Sequence, residues 1–207
     1  CLEERWRNDA RLKMDELFGA HGAIPLKRLV ECLDGSRVPL SSTDRELRKG
    51  PYPYFGASTV VDHIDDYLYD EQIVLLGEDG GQLVDPGFLI SQVVDEKCWV
   101  NNHAHVLRPT DVDAHFLSMH LNTFERAPHI SGATRPKITQ DDMGRIPVPN
   151  IGIHAQIEFM KEINQRKDRT LQIISATKQR IDLLFERRQA LVTAAVTGEI
   201  TIPKAAV

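Results

Sequence analysis

The chain is poor in the residues and runs that mark secreted, membrane-bound and catalytic proteins. It has three cysteines (Cys1, Cys32 and Cys98), an odd number at wide spacing with no Cys-x-x-Cys. That pattern argues against a disulfide framework or a zinc site and points to a reducing cytoplasm. No apolar stretch approaches the ~20 residues that a membrane-crossing helix needs. The first residues, Cys1-Leu2-Glu3-Glu4-Arg5-Trp6, are charged and lack the apolar core of a signal peptide. A start at Cys rather than Met leads us to expect a processed or truncated chain. Internal repeats and low-complexity tracts are missing too.

Catalytic signatures are equally scarce. There is no Gly-x-Ser-x-Gly and no Cys-His nucleophile arrangement. Gly77-Glu78-Asp79-Gly80-Gly81 lacks the Gly-Lys-Ser/Thr ending of a phosphate loop, and its two acids would repel phosphate, so it reads as a turn. Asn102-His103-Ala104-His105 sets two imidazoles on one face of a strand. A metal would need a third ligand that no spacing supplies, so a hydrogen-bonded structural pair is the plainer reading. His115 and His120 do not form the His-x-x-x-His of a helical zinc pair.

What is present is an ordinary globular composition, 42% hydrophobic and 27% charged over 207 residues. Charge is uneven: from residue 151 onward there are 9 Lys and Arg against 6 Asp and Glu, leaving 16 against 24 before it. An acidic body by itself argues against nonspecific nucleic-acid binding.

The chain punctuates into short elements. Residues 1–18 read as a helix ended by Gly19 and Gly22. Asp34-Gly35 is a turn, followed by a polar, basic loop from Ser36 to Gly50. Tyr52-Pro53-Tyr54-Phe55-Gly56 is expected at a sheet edge because of its proline. Val60-Val61 and Tyr67-Leu68-Tyr69 flank the acidic stretch Asp62 to Asp66. Gln72-Ile73-Val74-Leu75-Leu76 is the best buried strand; Phe88-Leu89-Ile90, Cys98-Trp99-Val100 and Ala104 to Arg108 follow. Thr110-x-x-Asp113 and Thr139-x-x-Asp142 look like capping boxes. Pro147 and Pro149 then mark a boundary.

Beyond it, no glycine or proline interrupts the run between Gly152 and Gly198. At ~1.5 Å per residue such a helix reaches roughly 65 Å, too long to bury itself in one small core. One seam runs Met160, Lys167, Ile174, Ile181, Arg188 and Ala195, the other Ile163, Thr170, Thr177, Leu184 and Leu191, widened by Leu171, Phe185 and Val192. Lys167 and Arg188 would interrupt a parallel zipper, whereas a wide stripe suits antiparallel pairing. The plainer alternative is a helix folded back on its own domain.

Basic side chains gather on loops, at Arg37, Arg45, Arg48 and Lys49 beside Tyr52-Pro53-Tyr54-Phe55, and at Arg135 and Lys137 in a Gly/Ser/Thr/Pro loop. Arg and Lys can read guanine edges while hydroxyls hold phosphates. A solvated loop surface would carry the same residues.

Taken in order, these segments resemble one half of a type I restriction-modification specificity subunit. Lys49-Gly50-Pro51-Tyr52-Pro53-Tyr54-Phe55-Gly56-Ala57-Ser58 is similar to that family's Gly-x-x-Pro-Tyr-Tyr-Gly-Ala-Ser stretch. Leu75-Leu76-Gly77-Glu78-Asp79-Gly80-Gly81 is similar to its strand and Gly-rich turn, and Asn102-His103-Ala104-His105-Val106-Leu107 to its Asn-x-His-x-x-Val strand. Ser131 to Ile138 resembles the loop before the hinge. Ile146-Pro147-Val148-Pro149, Gln156 and Ala194-Ala195-Val196-Thr197-Gly198-Glu199-Ile200 resemble the two ends of its helix. The family's Pro-Pro-Leu and Glu-Gln are replaced here by Asn150-Ile151 and Ala155-Gln156, and a typical subunit carries two such units.

The resemblance implies a mixed α/β target-recognition domain (residues 21–149) after an N-terminal helical segment (1–20), followed by one long coiled-coil-type helix and tail (150–207). It implies a non-catalytic DNA-recognition subunit that reads one half-site of duplex DNA and docks methyltransferase, and possibly restriction, subunits. A homodimer through antiparallel helices would restore two recognition domains. The expected DNA contacts are Arg37, Arg45, Arg48, Lys49, Tyr52, Tyr54, Ser58, Thr134, Arg135 and Lys137. The expected helix-pairing residues are Met160, Ile163, Leu171, Ile174, Ile181, Leu184, Phe185 and Leu191. No cofactor is expected on this chain, which has no Asn-Pro-Pro-Tyr or Asp-Pro-Pro-Tyr motif; S-adenosylmethionine, Mg2+ and ATP would sit on partner subunits. Competing readings are a coiled-coil assembly or regulatory protein without DNA contact, and a metal-dependent hydrolase using His103 and His105.

Overall fold

A computed structural model of the protein describes residues 5–200; the extreme ends of the N-terminal segment and of the C-terminal tail lie outside them. In chain order the first half holds α1 (Arg5–His21), β1 (Ala23–Pro25), β2 (Val30–Cys32), α2 (Ser42–Leu47), β3 (Lys49–Phe55), β4 (Val60–Ile64) and β5 (Ile73–Gly77). The second half holds β6 (Ser91–Val94), β7 (Trp99–Val100), β8 (Ala104–Pro109), α3 (Ala114–Thr123), α4 (Gln140–Gly144), β9 (Pro147–Pro149) and α5 (Ile153–Val196). Mixed α/β structure followed by one long helix is therefore what the chain forms. No helix among the described residues is long and apolar enough to cross a membrane.

Residues Arg7–Ile163 make one compact unit. Its main sheet is antiparallel in the order β2-β8-β5-β6, and a second sheet runs β4-β3-β7. All five residues of β5 are buried. By strand alternation Ile73 and Leu75 enter a core with Phe55, Tyr69, Val94, Cys98, Val100 and Val106, leaving Val74 and Leu76 for the opposite face, where α3 packs on β5 and β6. That continuous burial is why the stretch reads as apolar without alternation.

Three local expectations change. The Pro-interrupted segment at Tyr52 is not an edge: β3 is the middle strand, antiparallel to β4 and parallel to β7. Its prolines are tolerated because β7 pairs only with Tyr54 and Phe55, beyond Pro51 and Pro53. The strand expected at Phe88-Leu89-Ile90 is displaced to Ser91–Val94, leaving Phe88 and Leu89 exposed. The helix expected to start at Thr110 is capped by Asp113 itself, whose carboxylate accepts the Phe116 amide at 2.8 Å. Thr139 does cap its helix, its hydroxyl accepting the Asp142 amide at 3.1 Å and donating to the Asp142 carboxylate at 2.7 Å, without the return bond that completes a box. A complete and unforeseen box, Ser41 with Asp44, starts α2 inside the basic loop. The first helix runs through Gly19 and stops at Gly22, whose φ is +70°.

The start of α5 belongs to this unit. Gln156, Phe159, Met160 and Ile163 are buried, with the Phe159 ring edge-on to Phe116 at 5.4 Å. Met160 and Ile163, expected in the pairing seam, are thus spent on the domain core. A second unit contains Trp6 and the helix from Asn164 onward. There Leu171, Ile181, Leu184, Phe185 and Leu191 are exposed, and Ile174 is half-buried. The helix closes at Gly198, φ +77°, with the Glu199 amide donating to the Ala194 carbonyl at 2.8 Å.

Candidate nucleic-acid interface

Two groups of basic side chains are built on the compact unit. The first rests on the β3–β4 hairpin. Gly50 lets the two strands close up: a Cβ there would lie 2.3 Å from the Asp65 Cα. Around that contact Arg48 pairs with Asp65 at 2.9 Å and Asp66 at 3.4 Å, and its guanidinium lies 4.9 Å from the Trp99 ring centre. Lys49 pairs with Asp62 at 2.6 Å, and Arg45 reaches the same carboxylate at 3.3 Å while stacking over Tyr54 at 5.1 Å. The Lys49 ammonium, followed by the His63 amide, holds the Asp62 carboxyl below its ordinary range. Tyr52 meets Tyr67 edge-on at 5.1 Å, and Lys97 sits 4.4 Å over the Tyr67 ring. The acidic stretch that follows Val61 is therefore the counter-charge of this basic loop.

The second group joins the turn after β5 to the loop before α4. The Ser131–Lys137 loop closes on itself through two backbone bonds of 2.8 Å. It is stapled to the turn by Gly80 donating to Pro136 at 3.0 Å and Ile138 to Glu78 at 2.9 Å. Gly132, φ +84°, permits the bend, since a Cβ would lie 2.5 Å from the Arg135 carbonyl. Arg135 then pairs with Asp79 at 3.0 Å, Lys137 with Glu78 at 2.8 Å, and His103 with Asp79 at 3.1 Å.

Beneath this loop lies a buried polar knot. Asp34 accepts from His105 Nδ1 at 2.6 Å, from the Gln140 amide at 2.8 Å and from the Val106 backbone amide at 2.8 Å. The other His105 nitrogen faces the Ile138 carbonyl at 2.9 Å, so both ring nitrogens point at acceptors. Burial alone would raise the Asp34 carboxyl. The hydrogen bond and charge of His105, with the two amides, outweigh it and hold the group at about 2. Burial also pushes Glu78 up, but Lys137 and Arg37 bring it below its ordinary value.

Asp34, Glu78 and His105 place ligand atoms within 4.8 Å of one another, the one such group among the described residues. These atoms are already engaged. Glu78 is bridged by Arg37 at 2.6 Å and by Lys137, and Asp34 is saturated by three donors. Two side-chain cations occupy the electrostatic role a metal would fill, so the knot does not fit a metal centre. Nor do His103 and His105 act together: His103 precedes β8 and faces Asp79, while His105 points inward to Asp34.

The expected contacts therefore sort by position. Arg48, Lys49, Tyr52, Thr134, Arg135 and Lys137 retain solvent-facing surface, whereas Tyr54 is fully buried and its hydroxyl accepts the Leu40 amide at 3.0 Å. Arg37 is largely enclosed, held by Glu78, Asp34 and the Ala104 carbonyl. Ser58 is half-buried, its hydroxyl without a hydrogen-bond partner and its carbonyl accepting from Gln92. Sequence reasoning missed Tyr67, Lys97 and Trp99. Alternation in Lys97-Cys98-Trp99 puts the first and third residues on one face, a signal that could have found them.

Residues 24–183 match the family described as the type I restriction modification DNA specificity domain. A putative type I restriction enzyme specificity subunit, S.HindORF215P of Haemophilus influenzae, is 30% identical over 138 residues, covering 66% of this chain and 35% of that protein. The fold is similar to the S subunit of a type I restriction-modification system from M. genitalium, with a TM-score of 0.60 at 16% identity over 88% of this chain and 52% of that one. It is also similar to the HsdS subunit of Thermoanaerobacter tengcongensis, with a TM-score of 0.55 at 15% identity over 96% of this chain and 54% of the other. The chain thus spans about a third of the curated relative and about half of the solved subunits.

Proposed function

Because the chain belongs to the type I restriction modification DNA specificity domain family, we propose that it is a non-catalytic DNA-recognition unit reading one half-site of a bipartite duplex target. What supports this reading on the molecule is the display of Arg48, Lys49, Arg135 and Lys137, each beside a carboxylate, on a body that is otherwise acidic. An exposed ion pair is worth at most about 1 kcal/mol, so a correctly placed phosphate or guanine edge can replace the carboxylate at little cost. A poorly placed duplex meets Asp62, Asp65, Asp66 and Asp79 instead. Such pairing favours specific over nonspecific binding.

The exposed apolar stripe of α5 from Leu171 to Leu191 would pair antiparallel with a second helix of the same kind, from another copy or from a second half of a longer subunit. The helix would also set the distance between half-sites and dock the methyltransferase and restriction subunits in the cytoplasm. S-adenosylmethionine, Mg2+ and ATP would be held by those partners, as would a base flipped for methylation.

The test is to co-express the chain with its methyltransferase partner and select from random-sequence duplexes. Enrichment of a bipartite motif is expected. Partner binding without any sequence enrichment would instead leave an assembly protein that does not read DNA.

A further inference from the structure

Lined by other residues than the two basic groups, the compact unit carries a cleft of about 540 Å³ between α1, the segment after β5 and the end of α3. That volume lies within the ~300–1,000 Å³ of ordinary ligand sites. Its walls are mainly apolar, with Leu83, Val84, Phe124 and Ile130 among them, and Phe88 and Leu89 are exposed in the adjoining segment. Three arginines, Arg7, Arg11 and Arg126, also line it, against one acid, Glu125.

Arg126 is unusual for so buried a charge. Only 8% of its surface is exposed, and its guanidinium donates to four backbone carbonyls: Phe88 at 2.9 Å, Asp85 at 3.1 Å, Asn122 at 3.2 Å and Gln82 at 3.5 Å. None of these four acceptors is a carboxylate. Burial lowers its pKa; the nearby Asp85 opposes this, and Arg7 adds to it. Arg7 donates to the Gly87 carbonyl at 3.0 Å, and Arg11 is exposed and makes no ion pair with a described residue. Buried arginines are ordinarily paired with carboxylates, because carbonyl dipoles solvate the charge without neutralising it.

We propose that this cleft docks an acidic–apolar segment of a partner protein, an apolar side chain entering the cleft and an adjacent carboxylate pairing with the exposed Arg11, in the field of the buried Arg126 charge. A protein segment fits better than a nucleic-acid backbone, which would bring phosphates but no apolar group to cover Val84, Phe88 and Leu89. Excess positive charge in a domain whose balance is otherwise acidic is the electrostatic complement of such a segment. None of the cleft residues belongs to the basic groups described above, so the proposal stands independently of the DNA reading.

The probe is a blocked peptide with alternating leucine or phenylalanine and glutamate or aspartate, compared with its glutamine and asparagine analogue, titrated into the full chain by calorimetry. The acidic peptide should bind at least tenfold more tightly than its amide analogue. The exposed substitution Arg11→Glu should remove that preference while leaving the thermal unfolding midpoint unchanged, and Val84→Asp should weaken both peptides. Equal binding of the two peptides, or no binding, overturns the proposal. So does an Arg11→Glu variant that loses duplex affinity but not peptide affinity, which would make the cleft a phosphate contact.

Discussion

The side-chain carbonyl of Gln156 accepts the Asp113 amide at 2.7 Å, and its amide group donates to the Ile151 carbonyl at 2.8 Å. Gln156 is 98% buried, on the first turn of α5, while Asp113 is the residue that caps α3. One side chain therefore ties the hinge, α3 and the start of the long helix together. Gln156→Ala removes the partners of the Asp113 amide and the Ile151 carbonyl, both on half-buried residues, which costs up to about 1–3 kcal/mol for each group that water does not reach. Urea unfolding should show that loss with an unchanged m-value. A variant as stable as the parent would mean that water replaces both bonds and that Gln156 does not set the hinge.

Gly50 shows how the tight approach of β3 and β4 supports the basic group. A methyl group there collides with the Asp65 backbone, which cannot yield as a flexible side chain would. Gly50→Ala should destabilise the domain by about 1–3 kcal/mol, as overpacking does. It should also separate Asp65 from Arg48. Gly35→Ala is the matched control, because nothing lies within 4 Å of its Cβ position. Equal melting temperatures for the two variants would remove the close approach from the account.

Much of this was legible from sequence where a local rule acts alone. The buried strand at Ile73, the Thr139 cap and the long helix all follow from periodicity and turn chemistry. Tertiary context decided the rest. Tyr52 to Phe55 looked like an edge because proline cannot donate, and only the short reach of β7 makes a central position possible. Arg37 looked like a surface contact because arginines cluster nearby; the pull of Glu78, forty-one residues away, turns it inward. The same long-range pairing conceals the charge balance, since Asp62 to Asp66 reads as an acidic patch until β4 lies beside Arg45, Arg48 and Lys49.

His120 makes stability depend on pH between about 6.5 and about 4. Its Nε2–H donates to the Pro147 carbonyl at 2.7 Å, leaving a buried Nδ1 without a partner beside Phe18 and Phe124. Burial lowers its pKa from 6.5 to about 4, partly offset by the Pro147 bond. Between these values the unfolded chain binds the proton and the folded chain does not. Stability is therefore full above pH ~6.5 and falls toward pH ~4, by up to about 3 kcal/mol. Asp34, held at about 2 against an ordinary 3.8, adds a second loss as the pH falls from 3.8 toward 2. Denaturation between pH 7 and pH 4 should show the first slope in the parent and a flatter one in His120→Gln. Identical slopes would assign the effect elsewhere.

The exposed stripe of α5 should govern association and leave the domain intact. Leu184 and Phe185 are 56% and 62% exposed. Replacing both with Glu puts two charges where an antiparallel partner would bury apolar surface, at a cost of several kcal/mol to pairing. Light scattering at micromolar concentration should find dimers in the parent and monomers in the double variant, with the same domain melting temperature. A parent that is already a strict monomer would leave pairing with a second copy without support.

Asp79 and Arg135 give the sharpest test of how carboxylates shape recognition. Asp79 holds both Arg135, at 3.0 Å, and His103, at 3.1 Å, on the loop stapled by Gly80 and Ile138. If Arg135 and Lys137 contact the target, replacing both with Ala should weaken cognate binding at least tenfold and reduce the slope of log K against log salt by up to about 2 for two phosphate contacts. A smaller change in slope with relaxed base preference would identify a base contact instead. Asp79→Asn acts in the opposite direction. It removes the carboxylate that competes with phosphate, so nonspecific duplex affinity should rise several-fold while the ratio of cognate to noncognate binding falls. Fluorescence anisotropy with cognate and scrambled duplexes at two salt concentrations separates these outcomes. If Asp79→Asn raised cognate and scrambled affinity in equal proportion, the carboxylate would be tuning strength alone, and its role in discrimination would be lost.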